Sequence, residues 1–248
     1  MSWVGLFPGQ GSQHPKMGID LFEDHKESLI DKFEMIMGWS LKEVCEFSNE
    51  EELKKTNIAQ PAIFAISYSY CLEAIKKYGK PLALAGHSLG EYTALAISGV
   101  INFENALEII SIRSNAMQTA VEQIDSAMCA VLTKDIEATT KDIESLEKQG
   151  VKIWAANYND PGQLVIAGLA EDLGYIINDP KSISAIKIIK LDVAGAFHTP
   201  LMIPAKKQLE VALKKHKICQ LKKKNRLNLI AYEDLERLNF QNPMKKLS

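Results

Sequence analysis

The stretch 82–95 has the sequence Leu82-Ala-Leu-Ala-Gly86-His87-Ser88-Leu89-Gly90-Glu91-Tyr92-Thr93-Ala94-Leu95. Its first four residues are apolar and predict a short buried strand, and the residues after Gly90 predict a helix. A Gly-x-Ser-x-Gly motif at such a strand-to-helix turn is typical of a nucleophile elbow. Because the strand and the helix pack closely beside Ser88, positions 86 and 90 need small residues. We therefore expect the Ser88 hydroxyl at a helix N-terminus, where free amides favour developing negative charge.

The composition is that of a globular protein. The chain has 248 residues, and this length is enough for one large domain or a domain with an insertion. Of these residues, 46% are hydrophobic and 24% are charged, which is ordinary for a globular protein. The net charge of -2 gives no argument for binding nucleic acid or an anionic membrane. The four cysteines, at positions 45, 71, 129 and 219, form no Cys-x-x-Cys motif, which favours reduced thiols over a zinc site or a disulfide framework.

The N-terminal run of apolar residues predicts a strand and not a targeting segment. No basic region precedes Trp3–Phe7, and Pro8-Gly9 ends the apolar run early. No window of the sequence approaches the roughly 18 apolar residues of a membrane helix. We therefore expect a cytoplasmic protein without a signal peptide.

The first part of the chain predicts alternating strands and helices. The Gly-rich segment Pro8–Gln13 follows the first strand and permits close backbone approach to a ligand, although an ordinary turn is an equal interpretation. Pro61 is a suitable first helical residue, and Asn102 is a suitable N-cap. The predicted elements are a strand at 3–7, helices at 20–37, 41–47 and 61–77, a strand at 81–85, and helices at 91–98 and 103–123.

The middle of the chain has a different pattern. Strands are predicted at 128–132, 151–156, 164–168 and 186–191, and helices at 136–149 and 171–177. The segment Asn157–Gly162 is predicted to connect the second and third of these strands. The order βαββαβ is the ferredoxin-like pattern. We therefore expect an α/β protein with an inserted ferredoxin-like subdomain at 125–191, between core segments 1–124 and 192–248.

The last part of the chain begins with a predicted helix. Thr199 can cap this helix and Pro200 can start it, with Leu201, Ala205, Leu209 and Leu213 on one face. Basic runs follow, and residues 232–248 contain no glycine and little strand character. This pattern predicts a weakly packed helical or disordered tail.

Two further residues have open roles when each is considered alone. Arg113 lies in the middle of a predicted helix, where an arginine is usually solvated. His198 lies immediately before a predicted helix, where a single histidine is usually a surface residue or a satisfied one.

Six motifs in this order resemble the malonyl-CoA:acyl carrier protein transacylases. They are Phe7-Pro-Gly-Gln-Gly-Ser-Gln13, Gln60-Pro61, Gly86-His-Ser-Leu-Gly-Glu91, Arg113 with Met117-Gln118, Asn157-Tyr-Asn-Asp-Pro-Gly-Gln163, and Gly195-Ala-Phe-His198. The resemblance covers residues 3 to about 213. It implies an α/β-hydrolase-like core with a ferredoxin-like insertion.

The resemblance also implies the catalytic roles. Ser88 would be the nucleophile, with His198 as the general base that takes its proton. The backbone amides of Gln10 and Leu89 would form the oxyanion hole.

The resemblance further implies how the substrate is bound. Arg113 would hold the malonyl carboxylate, and Phe197 would fill the space that an α-methyl branch needs. Gln60, His87 and Met117 match pocket positions, and the alternatives for these three are a helix cap, a turn residue and a core residue respectively.

The reaction implied by the resemblance is a ping-pong transfer for fatty-acid or polyketide synthesis. Malonyl-CoA acylates Ser88, and the phosphopantetheine thiol of acyl carrier protein then takes the malonyl group.

We expect no metal and no tightly bound cofactor, and we expect a monomer. An acidic carrier protein would dock on a basic surface, for which the candidates are Lys206, Lys207, Lys214, Lys215 and Lys217, although a solvated helix face explains most of them equally.

The resemblance ends in the last part of the chain. Family members continue with further strands and a Gly-containing loop whose carbonyl orients the catalytic histidine, and nothing after Leu213 is predicted to match. The end therefore resembles a truncated or frame-shifted one. Two alternatives follow, namely a serine esterase or thioesterase with Asp192 as the triad acid, and a non-catalytic remnant that binds acyl-CoA or the carrier protein.

Overall fold

The computed structural model describes residues 2–215 and 228–231. The predictions for the tail at 232–248, for Lys217 and for Cys219 lie outside these residues. The strands are β1 (Val4–Phe7), β2 (Ala83–Gly86), β3 (Ser126–Leu132), β4 (Ile153–Asp160), β5 (Gln163–Leu169), β6 (Lys187–Lys190) and β7 (Asn228–Ala231). The α-helices are α1 (Lys32–Met37), α2 (Leu41–Phe47), α3 (Glu50–Leu53), α4 (Thr56–Tyr78), α5 (Gly90–Ile97), α6 (Phe103–Glu122), α7 (Ile136–Lys148), α8 (Ala170–Asn178) and α9 (Ile203–Lys215).

The described residues divide into two compact units. The first contains residues 2–114, 209–215 and 228–231, and the second contains residues 115–208. The division falls within α6 and within α9, so each of these helices begins in one unit and ends in the other. The boundaries of the inserted subdomain, at 125 and 191, stay a prediction.

The first unit contains a parallel sheet with the strand order β1-β2-β7. Phe7 is opposite Gly86 in β2, and Gly86 is opposite Ala231 in β7. The structure therefore has a strand after Leu213, where the sequence was predicted to match none of the further strands of the family. β7 has only four residues among basic and polar neighbours, so its extended conformation depends on pairing with a strand that is distant in sequence, which local pattern cannot reveal.

One face of this sheet packs against α4 and α5. Phe7 and Leu84 are buried there with Cys71 of α4 and Ala94 of α5. The strand β1 alternates exposed and buried residues, as expected when only one of its two faces is covered.

Helix α4 begins earlier than predicted. It starts at Thr56, and Pro61 lies inside the helix instead of at its first position. Proline lacks the N–H that would bond to the carbonyl four residues earlier, so sequence rules favour a start at Pro61. Thr56, Ala59 and Gln60 are fully or almost fully buried, and this packing stabilises an additional helical turn before the proline.

The region predicted as one helix at 20–37 is also divided. It contains a 3-10 turn at Ile19–Leu21, a π-helical segment at Lys26–Asp31 and then α1. By contrast, the predicted cap of α6 is confirmed, because the Asn102 side chain accepts a hydrogen bond of 2.7 Å from the Asn105 amide.

The second unit is built on an antiparallel sheet with the strand order β4-β5-β3-β6. Helix α7 connects β3 to β4, and α8 lies in the connection from β5 to β6. The inner residues of β3 and β5 are buried on both faces of the sheet, where two separate apolar clusters form. The predicted order of strands and helices in this region is confirmed.

The predicted connection Asn157–Gly162 is mostly strand. β4 continues to Asp160, and Tyr158 and Asp160 pair with Leu164 and Gln163 of β5, so the turn contains only residues 161 and 162. Two register irregularities accompany this extension. Polar residues typical of turns are held in the strand by hydrogen bonds to β5, which the composition alone does not show.

Candidate active site

Ser88 lies at a sharp turn between β2 and α5. Its φ of 51° is in the left-handed region, which residues other than glycine rarely adopt. The His87 amide donates to the Phe7 carbonyl at 3.0 Å, and the Gly90 amide donates to the His87 carbonyl at 2.9 Å. Helix α5 begins at Gly90, so the turn carries Ser88 to the N-terminus of this helix as predicted.

The glycines of the motif are required by close backbone contacts. A Cβ at position 86 would lie 2.1 Å from the Gly90 carbonyl carbon, and a Cβ at position 90 would lie 2.2 Å from the Phe7 carbonyl oxygen. The predicted need for small residues at both positions is therefore confirmed. A Cβ at Gly9 would lie 2.8 Å from His87 Nδ1, so the Gly-rich loop after β1 also approaches the elbow closely.

Arg113 is buried beside Ser88. Only 9% of its surface is exposed, so the alternative of a solvated arginine on a helix is wrong. Its Nη2 donates to Ser88 Oγ at 3.1 Å, and its Nη1 donates to Gln60 Oε1 at 2.5 Å. The guanidinium carbon lies 5.7 Å from the centroid of the Tyr92 ring, which is a cation–π contact.

The hydrogen bonds continue from Gln60 to the loop after β1. Gln60 Nε2 donates to Gln10 Oε1 at 3.2 Å, and Gln10 Nε2 lies 3.4 Å from both the Thr56 hydroxyl and the Lys54 carbonyl. Gln60 is the fifth residue of α4 and is 1% exposed, so the alternative of a helix cap is wrong.

The charge of Arg113 has no anionic partner among the described residues. Its two hydrogen-bond acceptors, Ser88 and Gln60, are both neutral. A buried cation normally pairs with an anion, because burial removes its hydration. The site is therefore suited to an anionic ligand, and a carboxylate can accept two parallel hydrogen bonds from a guanidinium.

Three predicted site residues lie in the second unit. Met117 and Phe197 are buried in the same apolar cluster, with Val121, Val165 and other residues, so Met117 is a core residue there. His198 follows Phe197 with a φ of 58° and is half-buried. Thr199 caps the following turn by accepting a hydrogen bond from the Leu201 amide at 3.3 Å, as predicted.

His87 occupies the turn itself, as one of its two interpretations had it. Its side chain is exposed, yet the protein atoms around the ring lower its pKa by desolvation, so the neutral imidazole is favoured.

Among residues 2–215 and 228–231, no three His, Cys, Asp or Glu side chains are arranged to hold a metal ion. In the same residues, no helix is both long enough and apolar enough to cross a membrane.

The first unit thus brings together Ser88, Arg113, Gln60 and Gln10, with His87 and Leu89 in the elbow beside them. Sequence reasoning missed two residues, Thr56 and Tyr92. Thr56 lies one helical turn before Gln60, but the predicted helix began after both. Tyr92 lies four positions after Ser88, in the first turn of α5, so its closeness to the elbow in sequence was the available signal.

Comparison with known proteins supports these observations. The sequence matches the family model for the acyl transferase domain over residues 4–236. It is 37% identical over 211 residues to the malonyl CoA-acyl carrier protein transacylase of Bacillus subtilis, covering 84% of this chain and 66% of that protein. It is 36% identical over 213 residues to the protein of the same name from Haemophilus influenzae, covering 84% of this chain and 68% of that protein. The chain therefore spans about two thirds of the length of these curated relatives.

A solved structure gives the same result. A type II PKS acyl-carrier protein in complex with its malonyl-transacylase matches with a TM-score of 0.80 and 34% identity, over 88% of this chain and 72% of the matched one. The family match also passes Leu213, where the sequence resemblance was predicted to end, and includes β7. On this evidence of sequence and fold, the chain belongs to the acyl transferase domain family, among the malonyl CoA-acyl carrier protein transacylases.

Proposed function

We propose that this chain transfers a malonyl group from malonyl-CoA to the phosphopantetheine thiol of an acyl carrier protein, through an acyl-enzyme on Ser88. The names of its relatives support this reaction class. The observation that carries the proposal is the buried Arg113, which donates to Ser88 Oγ at 3.1 Å and has no carboxylate partner among the described residues. The malonyl carboxylate would supply that anion next to the nucleophile.

In the first half-reaction, His198 takes the proton of the Ser88 hydroxyl as the oxygen attacks the thioester carbonyl. The backbone amides of Gln10 and Leu89 stabilise the oxyanion of the tetrahedral intermediate. The carbon–sulfur bond then breaks, and the CoA thiolate takes the proton from His198. The closeness of Gly9 to His87 supports this role for the Gln10 amide, because it brings the loop after β1 to the elbow.

The second half-reaction reverses these steps with a new thiol. The phosphopantetheine thiol gives its proton to His198 and attacks the Ser88 ester. The serine oxygen leaves and recovers the proton from His198, so the enzyme returns to its starting state. No cofactor is held by the enzyme, since the carrier protein supplies the phosphopantetheine.

Selection of malonyl over other acyl groups rests on Arg113. An acetyl group would leave the buried guanidinium without an anion, and sites built around a polar partner discriminate strongly against ligands that lack it. Phe197 would exclude an α-methyl branch, while Gln60, His87 and Met117 would complete the pocket. The burial of Phe197 at 5% exposure is compatible with a fixed ring that limits space.

The fold is proposed as an α/β-hydrolase-like core with an inserted ferredoxin-like subdomain. The antiparallel order β4-β5-β3-β6, with α7 and α8 as the two crossovers, supports the insertion. The turn at Ser88 between a parallel strand and a helix supports the core. Core segments 1–124 and 192–248 and an insertion at 125–191 remain our assignment.

The partner is proposed to be an acyl carrier protein, because the matched malonyl-transacylase forms a complex with one. Exposed lysines of α9 at positions 206, 207, 214 and 215 could meet an acidic carrier, and a solvated helix face remains the alternative. A monomer, a cytoplasmic location and a role in fatty-acid synthesis complete the proposal as expectations from the sequence.

The test is transfer of labelled malonyl from malonyl-CoA to holo acyl carrier protein, with acetyl-CoA as competitor. Ser88→Ala should abolish transfer, and Arg113→Met should reduce it at least 100-fold while raising the relative use of acetyl-CoA. Release of free malonate as fast as transfer would instead support an esterase or thioesterase. Stable acylation of Ser88 without onward transfer would support a non-catalytic remnant, and an absence of any acylation of folded protein would overturn the proposal.

A further inference from the structure

The Gln10 side chain has a position that the proposed chemistry does not explain. The mechanism uses only its backbone amide, yet its side-chain amide lies between Gln60 on one side and Thr56 with the Lys54 carbonyl on the other. These contacts connect the loop after β1 to α4 and, through Gln60, to Arg113 on α6.

The direction of each hydrogen bond is fixed by Arg113. A guanidinium only donates, so Gln60 must present its oxygen to Arg113 and its nitrogen to the opposite side. Gln10 Oε1 accepts from that nitrogen, so the Gln10 nitrogen must in turn find acceptors. The Thr56 hydroxyl and the Lys54 carbonyl fill this requirement. Hydrogen bonds aligned in one direction polarise and strengthen one another.

Burial strengthens the effect of Gln10 and Thr56 on this orientation. Gln60 is 1% exposed and Thr56 is 0% exposed, so water cannot readily replace a lost partner. Without the acceptor on Gln10, the Gln60 amide would lose a hydrogen bond that favours the orientation with its oxygen towards Arg113. This weakens the contact that holds one end of the Arg113 guanidinium while the other end meets Ser88.

We propose that the Gln10 side chain and the Thr56 hydroxyl are positioning residues for substrate selection, which act through Gln60 to hold Arg113 where it receives the substrate carboxylate. The inference rests on the proposed function, because it assigns these residues to recognition of the malonyl carboxylate. It predicts that their loss weakens the use of malonyl-CoA more than the use of substrates without a carboxylate.

The first experiment uses Gln10→Met, which keeps the side-chain length and the backbone N–H but removes the amide. Acylation of Ser88 is measured with malonyl-CoA and with p-nitrophenyl acetate, a neutral ester. We expect kcat/KM for malonyl-CoA to fall about 10-fold, mostly through KM, and to fall several-fold more than the rate on the neutral ester. An equal loss on both substrates would overturn the proposal, because it would mean general damage to the oxyanion loop.

The second experiment tests whether Gln10 acts through Arg113. In an Arg113→Met background, Gln10→Met should cause no further loss with malonyl-CoA, since residues that act as one unit have non-additive effects. Additive losses would contradict the inference. Gln149→Met is a matched control, because Gln149 is an exposed glutamine whose side chain bonds only locally to Ser145 on α7.

Thr56 provides an independent variant if Gln10→Met folds poorly. Thr56→Val removes the hydroxyl at nearly constant shape and should raise KM for malonyl-CoA about 3-fold, while Thr56→Ser should restore it. Equal behaviour of the two variants would overturn a positioning role for the hydroxyl. Thermal melting of each variant separates these effects from loss of fold. If the wild-type protein shows no Arg113-dependent malonyl transfer, the proposed function fails and this inference fails with it. If the wild-type protein transfers malonyl normally but the losses from Gln10→Met and Arg113→Met add, only this inference is overturned.

Discussion

The two sheets of this chain differ in what surrounds them. In the parallel sheet of the first unit, Val4 is 50% exposed and Leu6 75% exposed, while Gly5 and Phe7 face the helices. In the antiparallel sheet of the second unit, the inner residues of β3 and β5 are buried on both faces. The first sheet places the loop after β1 and the elbow after β2 at the same edge, because parallel strands share their carboxyl ends. The second sheet forms a self-contained core.

The buried polar groups differ in the same way. The first unit buries the charged Arg113 with neutral acceptors, which is costly unless an anion joins it. In the second unit, the buried polar side chains among the described residues are neutral, and Thr139 donates to Thr133 at 2.8 Å. The buried charge is expected to cost the first unit stability, and the proposed binding of a malonyl carboxylate would offset that cost.

The largest effect is expected from Gly90→Ala. The new Cβ would lie 2.2 Å from the Phe7 carbonyl oxygen, so α5 and β1 must separate. We expect a loss of about 4 kcal/mol or more in the free energy of unfolding, measured by denaturant titration. Gly174→Ala is the matched control in the second unit, because a Cβ there meets nothing within 4 Å in the middle of α8, and it should be neutral or slightly stabilising. Similar losses for both glycines would contradict the packing argument.

The next effect contrasts the two sheets directly. Ile166 in β5 is 0% exposed, and Ile166→Ala should cost about 3 kcal/mol through lost burial and a cavity. Leu6→Ala in β1 removes a side chain that is 75% exposed, and it should cost less than about 0.5 kcal/mol. Thermal or chemical unfolding of the two variants provides the measurement. A large loss for Leu6→Ala would show that the outer face of the parallel sheet is covered in solution.

Gln60→Glu tests the uncompensated charge of the first unit. A carboxylate at this position would lie beside Arg113 Nη1, pair with the guanidinium and compete with the malonyl group. We expect kcat/KM for malonyl-CoA to fall about 100-fold, or about 2.7 kcal/mol, mainly through KM. The measurement is steady-state kinetics, and Gln149→Glu serves as the control at an exposed position. An unchanged KM of Gln60→Glu for malonyl-CoA would show that Arg113 does not bind the malonyl carboxylate.

The smallest effect concerns buried thiols in the first unit. Burial raises the pKa of Cys45 from its ordinary value of 9.0 to about 12 and that of Cys71 to about 11. The unfolded chain loses these protons above pH 9, whereas the folded state retains them, so stability should fall as pH rises from about 9 towards 12. Both thiols should resist iodoacetamide at pH 8 in native protein and react after unfolding, as measured by peptide mass spectrometry. Rapid native labelling would contradict their burial.

Local patterns explain much of what was predicted. The elbow, the cap at Asn102 and the order of elements from β3 to β6 depend on neighbouring residues and on contacts between nearby segments. The misassigned segments depend on distant ones. Polar residues 157–160 form strand because β5 pairs with them, and Pro61 lies inside α4 because the preceding turn is buried.

The sequence by itself determined the turn at Ser88, since Gly86 and Gly90 are the residues that allow β2, α5 and β1 to approach so closely. It also determined the alternation of strands and helices, because hydrophobic periodicity is a local property. Only the tertiary structure decided that Arg113 is buried against Ser88, that Gln60 and Gln10 connect it to the loop after β1, and that β7 joins the parallel sheet. These features depend on burial and hydrogen bonding between segments that are far apart in the chain, and no single stretch of sequence contains that information.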